Sequence, residues 1–206
     1  MVDDASRDDT FAAAQSFTNR FKALKVVKNT ADEKHQPGGK VVKAFLKGLQ
    51  QLDEDYDVLM KLDADLILPE NYLETLVRVF KEQPQTGMAA GVALIEKKGK
   101  WTVENLTDTD HIRGALKAYR KTCYQDIGGL VPAMGWDTVD EMLARYNGWQ
   151  VFVDTRLKVQ HLRPTGEAYS TRSAILQGEA FYQMRYRPVL AFLASLKLSL
   201  KKKNSL

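Results

Sequence analysis

The chain has 206 residues, of which 44% are hydrophobic, enough for the core of one domain or slightly more. Its single cysteine, Cys123, excludes a disulfide framework and a cysteine-cluster metal site, and it favours a reducing compartment. No run of residues is long and apolar enough to cross a bilayer, and the N-terminus does not resemble a signal peptide, so we expect a cytoplasmic protein.

The net charge of +4 is concentrated at the C-terminal end. From Thr171 onward seven Lys and Arg residues oppose Glu179 alone, a net charge of +6, which leaves −2 for residues 1–170. A nucleic-acid-binding protein would need a basic face with base-reading groups, so we expect no nucleic-acid partner. We predict a domain over residues 1–170 and a basic amphipathic helical tail over residues 171–206.

The predicted tail has the pattern of a helix that lies on an anionic membrane surface. If residues 189–200 are helical, one stripe is apolar and the lysines lie off it; the stripe contains Val189, Phe192, Leu193, Leu196 and Leu200. The alternatives are peripheral attachment to the inner face of a membrane, and packing of this helix on the domain or on a continuation of the chain.

Apolar strand-like runs alternate with helical patterns along the chain, which predicts an α/β fold with a mostly parallel central sheet flanked by helices. Residues 1–4 resemble the end of a strand, a helix capped by Ser6 runs to about Phe21, and residues 24–27 form a strand. Gly38 and Gly39 then open a helix that ends near residue 51. Because a sheet of this kind normally opens with a full strand ahead of Asp3, we expect the domain to be N-terminally incomplete.

The second half of the pattern begins with a buried strand at residues 58–62. A helix after Pro69 and a strand over residues 88–95 follow, and then a polar loop over residues 96–110. Helices are predicted over residues 115–126 and 137–146, and late strands over residues 150–153 and 157–161. The tail from residue 171 is predicted to be helical throughout.

Two aspartates, Asp63 and Asp65, follow the strand at residues 58–62. Side chains two residues apart share one side of an extended backbone, so we expect both carboxylates at the carboxyl edge of the sheet, where open α/β sheets bind ligands. Paired oxygen ligands there suit Mg²⁺ or Mn²⁺, and such a cation suits a diphosphate. The alternative is that Asp63 ends the strand and Asp65 helps to begin the turn before Pro69.

Four segments in this order carry a family resemblance: VDDASRDDT (residues 2–10), GGKVVKAFLKGL (38–49), LDADLILPENYLE (62–74) and the stretch over residues 114–166. Together they resemble the family 2 glycosyltransferases, an inverting group with the GT-A fold, over residues 1–170. The first strand of that family, with its P-x-Y-N-type turn, is absent here.

The resemblance implies roles for the residues that match. Asp3 and Asp4 would meet the nucleotide base or ribose, and Lys40 would meet a phosphate at the helix start. Asp63 and Asp65 would hold the Mn²⁺ or Mg²⁺ ion that bridges the two phosphates, with Asp63 also contacting the nucleotide-sugar.

A third metal ligand is implied at His161, because a late histidine supplies one in many GT-A enzymes and imidazole suits Mn²⁺. The structural alternative is a histidine that simply ends a strand and packs.

The catalytic base is implied by a Glu-Asp pair that precedes a helix in the family, eleven residues before a glycine. Counting back from Gly148 gives Asp137, with Trp136 in the place of the usual Glu. Thr138 and Glu141 have the spacing of a capping box, which predicts that Asp137 lies just outside the helix. Asp140, on the same face of that helix, is the second candidate.

We therefore expect a glycosyltransferase that moves a sugar from a nucleotide diphosphate sugar, with uridine favoured, to a hydroxyl of a saccharide or lipid-linked acceptor. The setting implied by the family is surface polysaccharide or glycolipid synthesis. The alternatives are a truncated, inactive nucleotide-sugar-binding or scaffolding fragment, and a phosphatase of the haloacid dehalogenase type, which also uses a D-x-D motif.

Overall fold

The computed structural model describes residues 1–29, 38–104, 110–163, 178–182 and 184–203. Within these residues the chain forms two compact units. The first comprises Met1–Asp57 and Leu130–Trp136, and the second comprises Val58–Gly129 and Asp137–Leu206. The predicted boundary near residue 170 falls outside the described residues, so that division stays a prediction.

The first unit contains a pair of short parallel strands and two helices. Its elements are β1 (Val2–Asp4), α1 (Thr10–Ser16), β2 (Val27–Asn29) and α2 (Gly39–Leu49). Gly38 precedes α2 with a φ of +76°, and a Cβ there would lie 2.9 Å from the carbonyl oxygen of Ala133. A glycine is therefore required where the sequence predicts a helix start.

The first helix begins later than predicted. Ser6 lies outside the helix, and Asp9 occupies the N-cap position of α1. Asp8 fixes the turn before the helix, because its Oδ1 accepts hydrogen bonds from the backbone N and the Oγ1 of Thr10, at 3.1 and 2.5 Å. The capping role predicted for Ser6 is wrong because this Asp8 turn intervenes.

The second unit is built on a six-stranded sheet with helices beside it. Its strands are β3 (Val58–Leu62), β4 (Leu66–Ile67), β5 (Thr86–Lys97), β6 (Lys100–Val103), β7 (Leu116–Arg120) and β8 (Gln150–His161). The strand order is β3-β7-β5-β8-β4, with β6 paired to β5. The helices are α3 (Tyr72–Glu82), α4 (Lys121–Asp126) and α5 (Trp136–Tyr146). Helix α3 packs against β5 and buries an apolar face formed by Tyr72, Leu76, Val79 and Phe80.

The prediction of a mostly parallel sheet is wrong for this six-stranded sheet. Strands β5 and β8 are parallel, whereas the other described pairs in it are antiparallel. The prediction rested on the alternation of strand-like and helical patterns, which is typical of parallel strands joined by helices. Strand β5 instead turns through Lys98 and Gly99, both with positive φ, into the antiparallel strand β6, and such short connections join antiparallel strands. The polar stretch predicted as a loop over residues 96–110 therefore begins as a hairpin.

Strand β7 occupies part of a region predicted as helix. Leu116 and Ala118 are buried on one face of the strand, and Lys117 and Tyr119 are buried on the other. Burial on both faces at a period of two residues is the pattern of an internal strand. Helix is confined to the following residues, in α4.

Strand β8 is one bulged strand rather than the two that the sequence predicts. Its register against β5 shifts between Gly91 and Val92, which pair with Asp154 and Lys158. A Cβ on Gly91 would lie 2.3 Å from the carbonyl oxygen of Leu157, so the bulge requires a glycine opposite it. After the bulge the strand continues to His161.

The C-terminal region is helical in two pieces. Residues 178–182 are helical, and α6 (Pro188–Lys203) follows a turn in which Arg185 has a φ of 59°. The continuous helix predicted from residue 171 is therefore wrong at residues 184–187, while residues 171–177, 183 and 204–206 lie outside the described part. Four residues of the predicted apolar stripe of α6 are exposed, Val189 at 73%, Phe192 at 67%, Leu193 at 54% and Leu196 at 46%, and the side chain of Leu200 lies outside the described part. Within the described residues no helix has the length and apolar character needed to span a membrane.

Candidate active site

Asp3 lies in β1 of the first unit and is 2% exposed. Neither of its carboxylate oxygens has a hydrogen-bond partner among the described residues. A buried carboxylate without donors is costly, and native proteins pair such groups with a protein group, a water or a ligand. Asp3 is therefore a candidate to accept hydrogen bonds from a bound molecule.

Asp4, next in β1, is held in an ion pair on the wall of a pocket. Its Oδ2 lies 3.1 Å from Nζ of Lys40, and its Oδ1 accepts a hydrogen bond of 2.7 Å from Nδ2 of Asn29. The pocket has a volume of about 330 Å³, and Lys43 and Lys47 also line it. Three lysines against one aspartate leave this pocket positively charged, so it favours an anion.

The two aspartates of the D-A-D sequence do not lie on an extended backbone. Ala64 and Asp65 form a turn after β3, which corrects the prediction that both carboxylates share one side of a strand. Asp63 accepts a hydrogen bond from Nζ of Lys61, which also donates to the carbonyl oxygen of Gly114 at 2.8 Å. The ammonium group of Lys61 is buried, and the partly exposed carboxylate of Asp63 compensates its charge.

The structure brings Asp65 and His161 together, as the predicted metal site requires. Residue Leu66 pairs with His161 across β4 and β8, and the backbone N of Leu162 donates to the carbonyl oxygen of Asp65 at 2.9 Å. Nε2 of His161 then lies 3.6 Å from Oδ1 of Asp65. This separation is too long for a hydrogen bond and fits two ligands of one cation.

The other ring nitrogen of His161 faces the interior. It lies 3.6 Å from Oε2 of Glu104, which Arg113 approaches to 3.3 Å. Nδ1 is buried and has no hydrogen-bond partner within the described part of the chain. A carboxylate behind a histidine is the usual support of a metal-binding imidazole.

The donor set of Asp65 and His161 fits a divalent cation that takes its remaining ligands from a substrate. Among the described residues no three His, Cys, Asp or Glu side chains lie close enough to hold a metal ion by themselves. Mg²⁺ sites commonly use one or two carboxylates together with substrate phosphates and waters. Asp63 fits less well as a direct ligand, because the buried Lys61 already holds it.

Asp137 lies in the first turn of α5, which begins at Trp136. The predicted capping box is wrong, because Glu141 does not return to the backbone of Thr138. Its Oε1 accepts a hydrogen bond of 2.8 Å from the backbone N of Ile112 instead. The side chain of Asp137 remains 32% exposed, as a base that meets an acceptor must be.

Asp140, the second candidate base, is 2% exposed and lies in a buried ion pair. Nζ of Lys117 is 2.7 and 3.0 Å from its two carboxylate oxygens, and the hydroxyl of Tyr119 donates to Oδ2 at 2.5 Å. Burial raises the pKa of Asp140 to about 6, although the charge and the hydrogen bond of Lys117 oppose the shift. Burial, followed by the charge of Asp140, raises the pKa of Tyr119 well above its usual value, so the phenol stays a donor. We assign Asp140 a structural role.

Lys117 is a buried residue of this candidate site that the sequence analysis did not single out. Besides Asp140 it donates to the carbonyl oxygen of Asp137 at 2.5 Å and approaches Oε1 of Glu141 to 3.2 Å, and its side chain is fully buried. The sequence predicts a helix over residues 115–126, which gives Lys117 no reason to be buried. The alternation of Leu116 and Ala118 with Lys117 is the one signal that favours a strand, and in a strand the lysine points inward.

The chain matches a known protein family. The Glycosyl transferase family 2 model matches residues 1–136, which is more than half of the chain. This chain belongs to glycosyl transferase family 2. The match confirms the family predicted from the four ordered segments and gives no support to the phosphatase alternative. The comparison with curated protein sequences found no match.

Solved structures of glycosyltransferases share the fold. The mannosyltransferase PcManGT from Pyrobaculum calidifontis, in complex with GDP-Man and Mn²⁺, has a TM-score of 0.62 at 16% identity, over 95% of this chain and 54% of that one. S. aureus TarS 1-349 has a TM-score of 0.58 at 15% identity, over 87% and 55%. GalNAc-T7 with UDP, GalNAc and Mn²⁺ has a TM-score of 0.57 at 15% identity, over 79% and 37%.

These likenesses confirm the predicted GT-A fold, an α/β architecture with a central sheet flanked by helices. The chain spans about half the length of the first two of these structures, at 54% and 55%.

Replacing Lys117 by methionine tests the buried ion pair. Lys117→Met leaves Asp140 buried without its cation, so we expect a loss of about 3–5 kcal/mol in the free energy of unfolding at pH 8. Folding raises the pKa of Asp140, so ionisation of this carboxyl lowers the stability at a pH above its folded pKa. This cost disappears as the pH falls toward the pKa of the carboxyl in the unfolded chain. The loss should therefore be clearly smaller at pH 5, where Asp140 is protonated.

Urea denaturation at the two pH values measures both quantities. Lys158→Met is the matched control, because Lys158 lies on β8 and is exposed; its effect should stay within about 0.5 kcal/mol. An equal loss for Lys117→Met at pH 5 and pH 8 would contradict the buried charge pair.

Proposed function

We propose that this chain carries out inverting, divalent-cation-dependent transfer of a sugar from a nucleotide diphosphate sugar to an acceptor hydroxyl. The observation that carries the proposal is the placement of Asp137. Of the three acids in the first two turns of α5, Asp140 and Glu141 are buried against Lys117, whereas Asp137 is 32% exposed on a backbone that Lys117 holds. One available carboxylate supports a single displacement.

The nucleotide is assigned to the first unit. Asp3 can accept hydrogen bonds from a base N–H or from ribose hydroxyls, which would supply its missing partners. The positive pocket at Asp4, Lys40 and Lys43 suits a phosphate-bearing molecule. Two of the similar structures contain GDP-Man and UDP. These features support a nucleotide diphosphate sugar as donor, with the uridine form first to be tested.

The cation is assigned to Asp65 and His161, with Mn²⁺ or Mg²⁺ as the ion. It supplies compensation of the negative charge on the leaving diphosphate. Glu104 lies 3.6 Å behind the ring of His161, and the β4–β8 pairing holds Asp65 beside the ring. Two of the similar structures are complexes with Mn²⁺. Asp63 is assigned to support the turn and to contact the nucleotide-sugar rather than to bind the cation directly.

Asp137 is assigned as the base. It accepts the proton of the acceptor hydroxyl while the acceptor oxygen bonds to the anomeric carbon on the face opposite the diphosphate. The carbon–oxygen bond to the diphosphate breaks with its electron pair on the diphosphate, so the anomeric configuration inverts. Asp137 lies in the first turn of α5, and its side chain is 32% exposed.

A saccharide or a lipid-linked acceptor, in surface polysaccharide or glycolipid synthesis, is the acceptor class that we propose. Support for a membrane-facing role comes from α6, where Val189, Phe192 and Leu193 are all more than half exposed. Lys197 lies beside them on an exposed position. An exposed apolar sector with flanking cations is typical of helices that attach to a membrane surface.

Metal binding separates the two aspartates of the D-A-D turn. We expect Asp65→Asn to weaken binding of Mn²⁺ in the presence of nucleotide-sugar by about tenfold or more, because Asp65 faces His161. Asp63→Asn should weaken it less, because Lys61 already compensates Asp63. Calorimetric titration with Mn²⁺ measures both, and the reverse order of effects would contradict the assignment.

Binding and turnover separate Asp3 from Asp137. We expect Asp3→Asn to abolish nucleotide-sugar binding, because the carboxylate accepts donors of the ligand. Asp137→Asn should leave binding unchanged and lower the turnover by at least about a hundredfold, because the amide cannot accept the proton. Calorimetry and release of the nucleotide diphosphate measure the two effects.

Asp9→Asn is the control for Asp3, since Asp9 makes no side-chain capping bond in α1. Normal turnover by Asp137→Asn would show that another group is the base.

A further inference from the structure

His111 lies between two acids that are one turn apart on α5. Its Nδ1 is 3.2 Å from Oε1 of Glu141, and its Nε2 is 3.9 Å from Oδ2 of Asp137. The ring is 14% exposed, so it contacts solvent only at one edge. A histidine with a carboxylate on each ring nitrogen can hold a proton at either side.

The two sequence neighbours of His111, Asp110 and Ile112, are fixed by contacts of their own. The backbone N of Ile112, which is fully buried, donates to Oε1 of Glu141 at 2.8 Å. Nη2 of Arg145 donates to the carbonyl oxygen of Asp110 at 3.2 Å. The segment that carries His111 is therefore held on α5 from both sides, independently of the ring.

The contact with Glu141 places a ring hydrogen on Nδ1, because a carboxylate oxygen can only accept. On α5 the ring faces Asp137 and Glu141, and Arg145 lies 3.6 Å from Oε2 of Glu141. On β7 Lys117 lies 3.2 Å from Oε1 of Glu141. Burial alone would raise the pKa of Glu141, but the hydrogen bond from His111 and the charge of Lys117 outweigh it and lower that pKa. Glu141 is therefore an ionised acceptor that two other cations already compensate.

We propose that His111 is a positioning residue for Asp137: Glu141 fixes its Nδ1–H, so that the lone pair of Nε2 faces Asp137 and receives the proton that Asp137 removes from the acceptor. This inference rests on the proposed function, because it assigns the proton acceptor behind the base.

The proton balance of the transfer is then complete. The acceptor O–H bond breaks and its proton moves to Asp137, while the new carbon–oxygen bond forms and the diphosphate leaves with the electron pair. Oδ2 of Asp137 and Nε2 of His111 are 3.9 Å apart, and catalytic contacts of this length in a free enzyme tighten in the substrate complex. There the protonated Asp137 donates to Nε2, and the proton stays within the protein until solvent takes it. Protonating Nε2 beforehand would remove this acceptor and pair the ring with the carboxylate of Asp137.

The first arm of the test does not depend on activity. The chain has three histidines, and the His111→Asn variant identifies the ring signals of His111. Nitrogen chemical shifts of the ring at pH 8 should show hydrogen on Nδ1 and none on Nε2. Hydrogen on Nε2 would overturn the proposal, whatever the enzyme transfers.

The second arm measures turnover as release of nucleotide diphosphate with Mn²⁺. His111→Asn keeps an N–H donor near the place of Nδ1 and removes Nε2, so the fold should persist. We expect kcat to fall by about tenfold with KM for the donor unchanged, and the acid-side fall of kcat/KM to move to lower pH because no ring remains to be protonated.

Arg145→Met is the matched control, because it removes the tether of Asp110 and one cation beside Glu141 but keeps both ring nitrogens of His111 and the carboxylate of Asp137. It should lower the melting temperature and leave the pH profile of kcat/KM unchanged. A wild-type kcat and pH profile for His111→Asn, or the same loss in both variants, would overturn the proposal. Absence of turnover in the wild type would instead refute the proposed function, and the ring tautomer would still decide the placement of His111.

Discussion

The placement of Asp137 depends on the contacts of the buried ammonium group of Lys117. It lies on strand β7 with no exposed side-chain surface and binds Asp140, the carbonyl oxygen of Asp137 and Glu141 on helix α5. A buried charge is tolerated only when its partners are complete and well placed. The strand and the first turns of the helix are therefore locked in one arrangement, and the backbone of Asp137 is locked with them.

This arrangement buries two of three neighbouring acids on α5 and leaves the third exposed. Asp140 and Glu141 compensate Lys117 inside the protein, and Asp137 keeps its side chain in contact with solvent. In the D-A-D turn Asp63 is paired with Lys61, whereas Asp65 faces His161 across a gap of 3.6 Å. Asp3 is the extreme case, since both of its oxygens are buried without a partner among the described residues. Polar groups that the described chain does not satisfy mark the places where a ligand can bind.

The sequence predicts the family, the fold and most candidate residues, because these are encoded in short motifs with fixed order. It fails where a charged residue is buried. The local pattern around Lys117 predicts an exposed helical lysine. Its burial in a strand is possible only because Asp140 and Glu141, which are distant in sequence, pair with its charge. The capping box fails for the same reason, since Glu141 bonds Ile112 rather than its own helix. His111 lies in no motif, and its importance comes only from its contacts with α5.

The proposed assignment of Asp137 as the single base implies one displacement at the anomeric carbon, and the stereochemistry of the product reports on it directly. Proton NMR measures the anomeric configuration of the glycoside formed with an acceptor. In transfer to water it measures the configuration of the free sugar at early times, before mutarotation. With Asp137 as the base the product should have the configuration opposite to that of the donor. A product that retains the donor configuration would require two displacements and would contradict the account.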